Sequence, residues 1–109
     1  MPTLSEINET VELLPSETKT LSLDVWFDKY DIRTIYAKDE NKNLISVSVF
    51  DKSSNGDIVY QSLKSDSIYD IANIPCQDKD GTQKMHVQLI NHSQNNAQVT
   101  LKIKTTNLL

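Results

Sequence analysis

The chain has 109 residues, with 2 glycines, 3 prolines, 1 cysteine, 38% hydrophobic and 24% charged residues, and a formal net charge of −4. That length suits one domain spanning residues 1–109. The composition excludes a collagen-like chain and a disulfide-stapled miniprotein. No apolar run approaches the roughly 18–20 residues of a membrane span, and the acidic balance gives nucleic acid no global attraction.

The opening Met1-Pro2-Thr3-Leu4-Ser5-Glu6 has neither the basic nor the apolar stretch of a signal peptide. Residues 1–10 can be read as strand, short helix or flexible lead. Ile7, Val11 and Leu14 stand at helical spacing, Thr3 with Glu6 matches a capping box, and Pro15 would stop a helix. Thr10, Val11 and Leu13 fit a strand, and that reading is preferred because every later element reads as β.

Period-2 alternation then dominates. Leu21, Leu23 and Val25 alternate with Ser22 and Asp24; Ile45, Val47 and Val49 with Ser46 and Ser48. Met85, Val87 and Leu89 alternate with His86 and Gln88; Val99, Leu101 and Ile103 with Thr100, Lys102 and Lys104. Successive strand side chains face opposite ways, so each set predicts one apolar face and one wet polar face. On that reading Val47→Asp unfolds the domain, whereas Ser48→Asp is nearly silent.

Weaker strands are predicted at Ile32–Tyr36, Ile58–Tyr60 and Ser67–Ile71. Asn55-Gly56 is the best hairpin-turn signal because both residues tolerate positive φ. Further turn clusters occur at Lys38–Asn43, Gln77–Gly81 and Asn91–Asn96. About eight short strands separated by turns predict an all-β antiparallel sandwich of jelly-roll or Greek-key type. Lys84, Lys102 and Lys104 are expected to guard sheet edges.

Few residues suggest chemistry. Asp78-Lys79-Asp80-Gly81 is similar to the centre of a calcium loop, but Cys76 and Val87 stand where the first acidic ligand and the closing glutamate belong. A solvated turn is the expectation, with calcium on Asp78 and Asp80 left open. His86, His92 and Cys76 are soft ligands without close ligand spacing, and neither histidine is placed near Cys76 as a catalytic partner. Cys76 is expected to be a buried structural thiol. Trp26, Phe27 and Tyr30 read as core or sheet-edge aromatics, and two glycines forbid a phosphate loop. Asn8-Glu9-Thr10 and Asn91-His92-Ser93 match the N-glycosylation pattern. No catalytic, cofactor-binding or metal residue is assigned.

The order of motifs supports a comparison. Val11-Glu12-Leu13-Leu14-Pro15 is followed by Ile45 to Asp51, Asn55-Gly56 and Ile58-Val59-Tyr60. Then come Lys64-Ser65-Asp66-Ser67-Ile68-Tyr69, Gly81, Met85 to Ile90, Asn91-His92-Ser93 and Val99 to Ile103. Across residues 11 to 104 this resembles the GOLD domain of the p24 cargo proteins of the early secretory pathway. That resemblance implies a β-sandwich that binds protein partners and catalyses nothing. The family's bridging cysteine pair has no counterpart here, because Cys76 is alone. Asp24 to Ile32 with Asn43 to Val47 is similar, more weakly, to the opening of a small heat-shock or p23-like domain. A jelly-roll strand order fits the first resemblance, and a crystallin-like order the second.

The expected function is therefore a non-catalytic, GOLD-like protein-interaction module in cargo or membrane-trafficking complexes. The alternatives are a carbohydrate- or adhesion-type binding sandwich and a small heat-shock-like chaperone domain. The expected partners are proteins, without nucleic acid and without direct membrane insertion. The expected place is the cytoplasm for a complete chain, or the early secretory lumen for a fragment of a p24-like protein.

Overall fold

A computed structural model of the chain describes residues 3–25, 27, 29–64 and 67–107. It contains eight strands: β1 (Thr3–Leu13), β2 (Thr18–Asp24), β3 (Lys29–Asp39), β4 (Ile45–Phe50), β5 (Ile58–Lys64), β6 (Ser67–Gln77), β7 (Lys84–Asn91) and β8 (Ala97–Asn107). They form two four-stranded sheets, ordered β1-β8-β3-β6 and β2-β7-β4-β5. Every paired neighbour is antiparallel. Of the consecutive strands, β4 and β5 alone share a sheet; every other connection crosses the sandwich. This is the strand order of an eight-stranded jelly roll.

The alternating residues build the core. Val47, Val49, Met85, Val87, Leu89, Val99, Leu101 and Ile103 are all fully buried. Each such side chain contributes about 1.5–3 kcal/mol by leaving water. Leu21 and Leu23 are only partly buried, because β2 lies at a sheet edge.

Residues 3–13 are strand, not helix or flexible lead: β1 pairs with β8 from Thr3↔Asn107 to Leu13↔Ala97. Ile7, Val11 and Leu13 take buried positions on the strand period. The eleven-residue ladder overrides the helical spacing of Ile7, Val11 and Leu14.

The edge-guarding lysines are also corrected. β8 lies between β1 and β3, and β7 between β2 and β4, so Lys84, Lys102 and Lys104 sit on interior strands. The free edges are β1, β6, β2 and β5. On β6 the edge position explains Pro75, which has no N–H to offer a further strand.

The outward face of the β2-β7-β4-β5 sheet is less wet than alternation implies. Ser46, Ser48 and His86 are buried there, because small serines sit between larger neighbours such as Gln88 and Gln61, which flank Ser48 in the ladder. Asn55-Gly56 lies in a seven-residue loop, Asp51 to Asp57, closed by the Asp51 N–H on the Asp57 carbonyl at 3.1 Å. Asn55 takes the positive φ, 57°; Gly56 is needed for room instead, since a Cβ there would lie 2.7 Å from the Lys52 nitrogen.

Candidate functional site

The most concentrated polar chemistry lies where the β6–β7 and β4–β5 loops meet. Leaving β6, the chain turns at Asp78, whose carbonyl accepts the Gly81 N–H at 3.1 Å, and Gly81 supplies φ +69°. The Asp78 side chain folds back into its own loop. Its Oδ1 accepts the Asp80 N–H at 3.0 Å. Its Oδ2 accepts the Thr82 N–H at 3.0 Å, the Thr82 hydroxyl at 2.7 Å and the Lys84 N–H at 2.9 Å.

Asp78 is therefore not the solvated turn residue expected from sequence: its side chain is fully buried. Burial pushes its carboxyl up. Hydrogen bonds from the Lys84 N–H, Thr82, His86 and the Asp80 N–H outweigh that and hold it well below the ordinary carboxylate range.

The neighbouring loop is laced to this one. Lys79 donates its backbone N–H to the Asp51 carbonyl at 2.9 Å and sets its ammonium 2.9 Å from Asp51 Oδ2. Asp80 Oδ2 accepts the Ser53 N–H at 2.8 Å. Asp51 Oδ1 accepts the Asp57 N–H at 2.8 Å. The Lys79 hydrogen bond leads the effects that lower the Asp51 carboxyl below its usual range. Lys84 pairs with Asp24 across the β2–β7 ladder.

His86 projects from β7 beneath both loops. Its Nε2 lies 3.1 Å from Asp78 Oδ1 and 3.5 Å from Asp80 Oδ2. Its Nδ1 lies 3.3 Å from the hydroxyl of Ser22, directly opposite on β2. Asp78, Asp80 and His86 thus bring one potential ligand atom each within 4.8 Å of one another. Beside them a cleft of 210 Å³ is lined by Thr20, Phe50, Lys52, Ser53, Asn55, Gly56, His86 and Gln88.

The structure joins Asp78 and Asp80 to His86 and leaves the other candidates elsewhere. Cys76 is buried, as expected, and donates to the Tyr30 hydroxyl at 3.2 Å. Burial raises both the Cys76 thiol and the Tyr30 phenol above their ordinary values. Neither group is poised as a nucleophile. His92 faces the Ser46 hydroxyl at 3.1 Å. Phe27 packs against the core and Tyr30 is part of it, whereas Trp26 lies outside the described residues, as do Ser65 and Asp66 of the GOLD-like motif. Asn91 is fully buried and hydrogen-bonded, so it is not a surface glycan acceptor.

Sequence reasoning missed the Ser22–His86 contact, which depends on the β2–β7 register. It also missed a pairing on the outer face of the other sheet. There Tyr36 and Tyr69 meet edge to face at 6.2 Å, and the Lys102 ammonium lies 5.9 Å from the Tyr36 ring. Among the described residues no helix is long and apolar enough to cross a membrane.

No family model matches the chain, and no curated protein matches it in sequence. Among solved structures it is similar to a chain from a structure described as Bacillus endospore appendages forming a family of disulfide-linked pili. That match has 10% identity and a TM-score of 0.57, covering 99% of this chain and 92% of the other. Structures of the Gt and Gx strains of infectious bursal disease virus match with TM-scores of 0.45 at 8% and 10% identity. In those two, 96% of this chain covers 32% of the viral one. The likeness to the appendage chain is one of fold: this chain is an all-β antiparallel sandwich.

Proposed function

We propose that this domain is a non-catalytic protein-interaction module, acting through contact with other polypeptides. One observation carries the reading. Of the five exposed large hydrophobic residues among those described, Ile58 and Leu63 lie on β5 and Tyr69 on β6. Both strands are free sheet edges. Such an edge offers unpaired backbone N–H and carbonyl groups to an added strand, and apolar side chains beside it add buried area.

A GOLD-like role in cargo or membrane-trafficking complexes is the specific form given by the sequence resemblance, and it rests on that resemblance; the jelly-roll strand order bears on the fold alone. The similarity to the pilus-forming appendage chain, over nearly the whole of both chains, favours a second form: a subunit that associates with its own copies. The disulfide linkage named for that assembly has no ready counterpart here, since Cys76 is 6% exposed and bonded to Tyr30.

Sedimentation velocity over a wide concentration range tests both forms, with Leu63→Lys and Tyr69→Lys as edge variants. Growth with concentration that either variant abolishes supports self-association. A monomer whose β5 and β6 amide signals shift when an extended apolar peptide is added supports capture of another protein's strand. A monomer at every concentration, with no such shifts, overturns the proposal.

A further inference from the structure

We propose that Asp78, Asp80 and His86 form a binding site for one divalent transition-metal ion of the zinc class, with a fourth position open to solvent. The donor set argues for this class: one imidazole nitrogen with two carboxylate oxygens suits zinc and its neighbours, whereas calcium and magnesium favour all-oxygen shells. The calcium reading of Asp78 and Asp80 did not include His86, and His86 changes the preference.

The spacing fits. Zinc–ligand bonds of about 2.0–2.1 Å in tetrahedral array place neighbouring donors about 3.3 Å apart. Here His86 Nε2 stands 3.1 Å from Asp78 Oδ1 and 3.5 Å from Asp80 Oδ2. The three residues offer ligand atoms within 4.8 Å of one another, so an ion can enter once the exposed Asp80 carboxylate closes on it. Each donor also keeps a lone pair for it. Asp78 Oδ1 accepts the Asp80 N–H and faces His86 Nε2, a contact the ion would replace, and Asp80 Oδ2 accepts one N–H, from Ser53. With Nε2 on the ion, Nδ1 carries the ring proton and donates to the Ser22 hydroxyl, an outer contact that fixes the orientation of a ligating histidine.

An independent observation is the charge of Asp78. Its carboxylate is fully buried, and among the described residues no permanently charged side chain pairs with it: Lys79 pairs with Asp51, Lys84 with Asp24, and His86, itself one of the proposed ligands, is a cation only when protonated. Buried carboxylates are ordinarily matched by a cation. A divalent ion supplies that charge, while the Asp80 side chain, 31% exposed, leaves a way in from solvent. Bound there, the ion would clamp the β6–β7 loop to β7 and, through the Ser53–Asp80 hydrogen bond, to the β4–β5 loop.

The test uses the full chain, stripped with a chelator and titrated with zinc chloride by calorimetry and thermal melting. Cobalt(II) serves as the spectroscopic probe of tetrahedral geometry. The expected result is one ion per chain, a raised melting temperature and tetrahedral cobalt bands. Binding should fall at least about tenfold in Asp80→Asn and His86→Gln, fall about tenfold in Ser22→Ala, and stay unchanged in His92→Gln. Asp80 is an exposed loop residue, so Asp80→Asn tests the site even where His86→Gln fails to fold. No heat and no melting shift with zinc, or undiminished binding in Asp80→Asn, leaves an ordinary histidine–aspartate hydrogen bond and overturns the proposal.

Discussion

The side-chain amide of Asn91 donates to the carbonyl of Leu14 at 3.1 Å, tying the end of β7 to the corner between β1 and β2. The same amide reaches the Asn95 carbonyl at 2.7 Å, and Oδ1 accepts the N–H and hydroxyl of Ser93 at 3.0 and 2.7 Å. One buried side chain thus holds together the β1–β2 and β7–β8 connections, both of which cross between the sheets. Asn91→Ala leaves these partners unpaired and should cost about 2–3 kcal/mol, read by chemical denaturation. Expressed in a glycosylating host, the folded protein should carry no glycan at Asn91, which mass spectrometry of the peptide containing Asn91 would check, since Asn8 is a second acceptor pattern.

The two glycines should respond differently. Alanine at Gly56 drives a Cβ to within 2.9 Å of Asp51 Oδ1 and the Lys52 carbonyl, and backbone has to move. Gly81 has open space but a positive φ. Gly81→Ala should therefore cost about 1 kcal/mol in backbone strain, and Gly56→Ala about 2 kcal/mol or more in overpacking. Equal losses in urea would contradict this account of the β4–β5 loop.

Thr105 is fully buried, and its hydroxyl has no hydrogen-bond partner among the described residues. Thr105→Val keeps the shape and removes the orphan. The variant should be more stable by about 1 kcal/mol, visible as a higher denaturation midpoint with an unchanged slope.

Acid should weaken the joint between the loops. The Asp51 carboxyl lies lower in the folded state than in the unfolded chain, with the Lys79 hydrogen bond the leading cause. Its contribution is complete above the ordinary aspartate value, about 3.9, and is lost as pH falls through the lower folded value. Asp78, also lowered, acts in the same direction. Stability measured from pH about 6 downward should fall below about pH 4, and Asp51→Asn should show a shallower fall.

Val47 and Ser48 separate what alternation reveals from what it does not. Val47 faces the core and Ser48 the outside, as the sequence implies, yet Ser48 is only 2% exposed. Val47→Asp should unfold the domain. Ser48→Asp should fold with a lower melting temperature, costing about 1–2 kcal/mol, instead of being silent.

That pair shows how far the sequence could be read. Period-2 rows such as Met85, Val87 and Leu89 report which side chains face inward, and all three are fully buried. Strand order is set by pairings between distant segments, so nothing local to Lys102 or Lys104 reveals that β8 is central. The same holds for the loop cluster. Asp78 and Asp80 stood out through their spacing, but their contact with His86 depends on how the β6–β7 loop folds back over β7. Asn55-Gly56 marked a turn correctly and its geometry wrongly, because Gly56 is required by the close approach of Lys52 rather than by its own φ.

The β1–β8 ladder has a bearing on how the chain is made. Within this domain β1, the earliest strand in the sequence, pairs along its whole length with β8, the latest, and β3 borders β8 on its other side. Until residues 97–107 are available, β1 has no ladder partner and β3 has one flank bare. The β1-β8-β3-β6 sheet cannot be completed before β8 is made, so assembly of the domain waits for that strand and is slow, as for other chains dominated by distant contacts. In the interval, Ile7, Val11 and Leu13 are exposed, and this is the period when the nascent chain most needs shielding from aggregation.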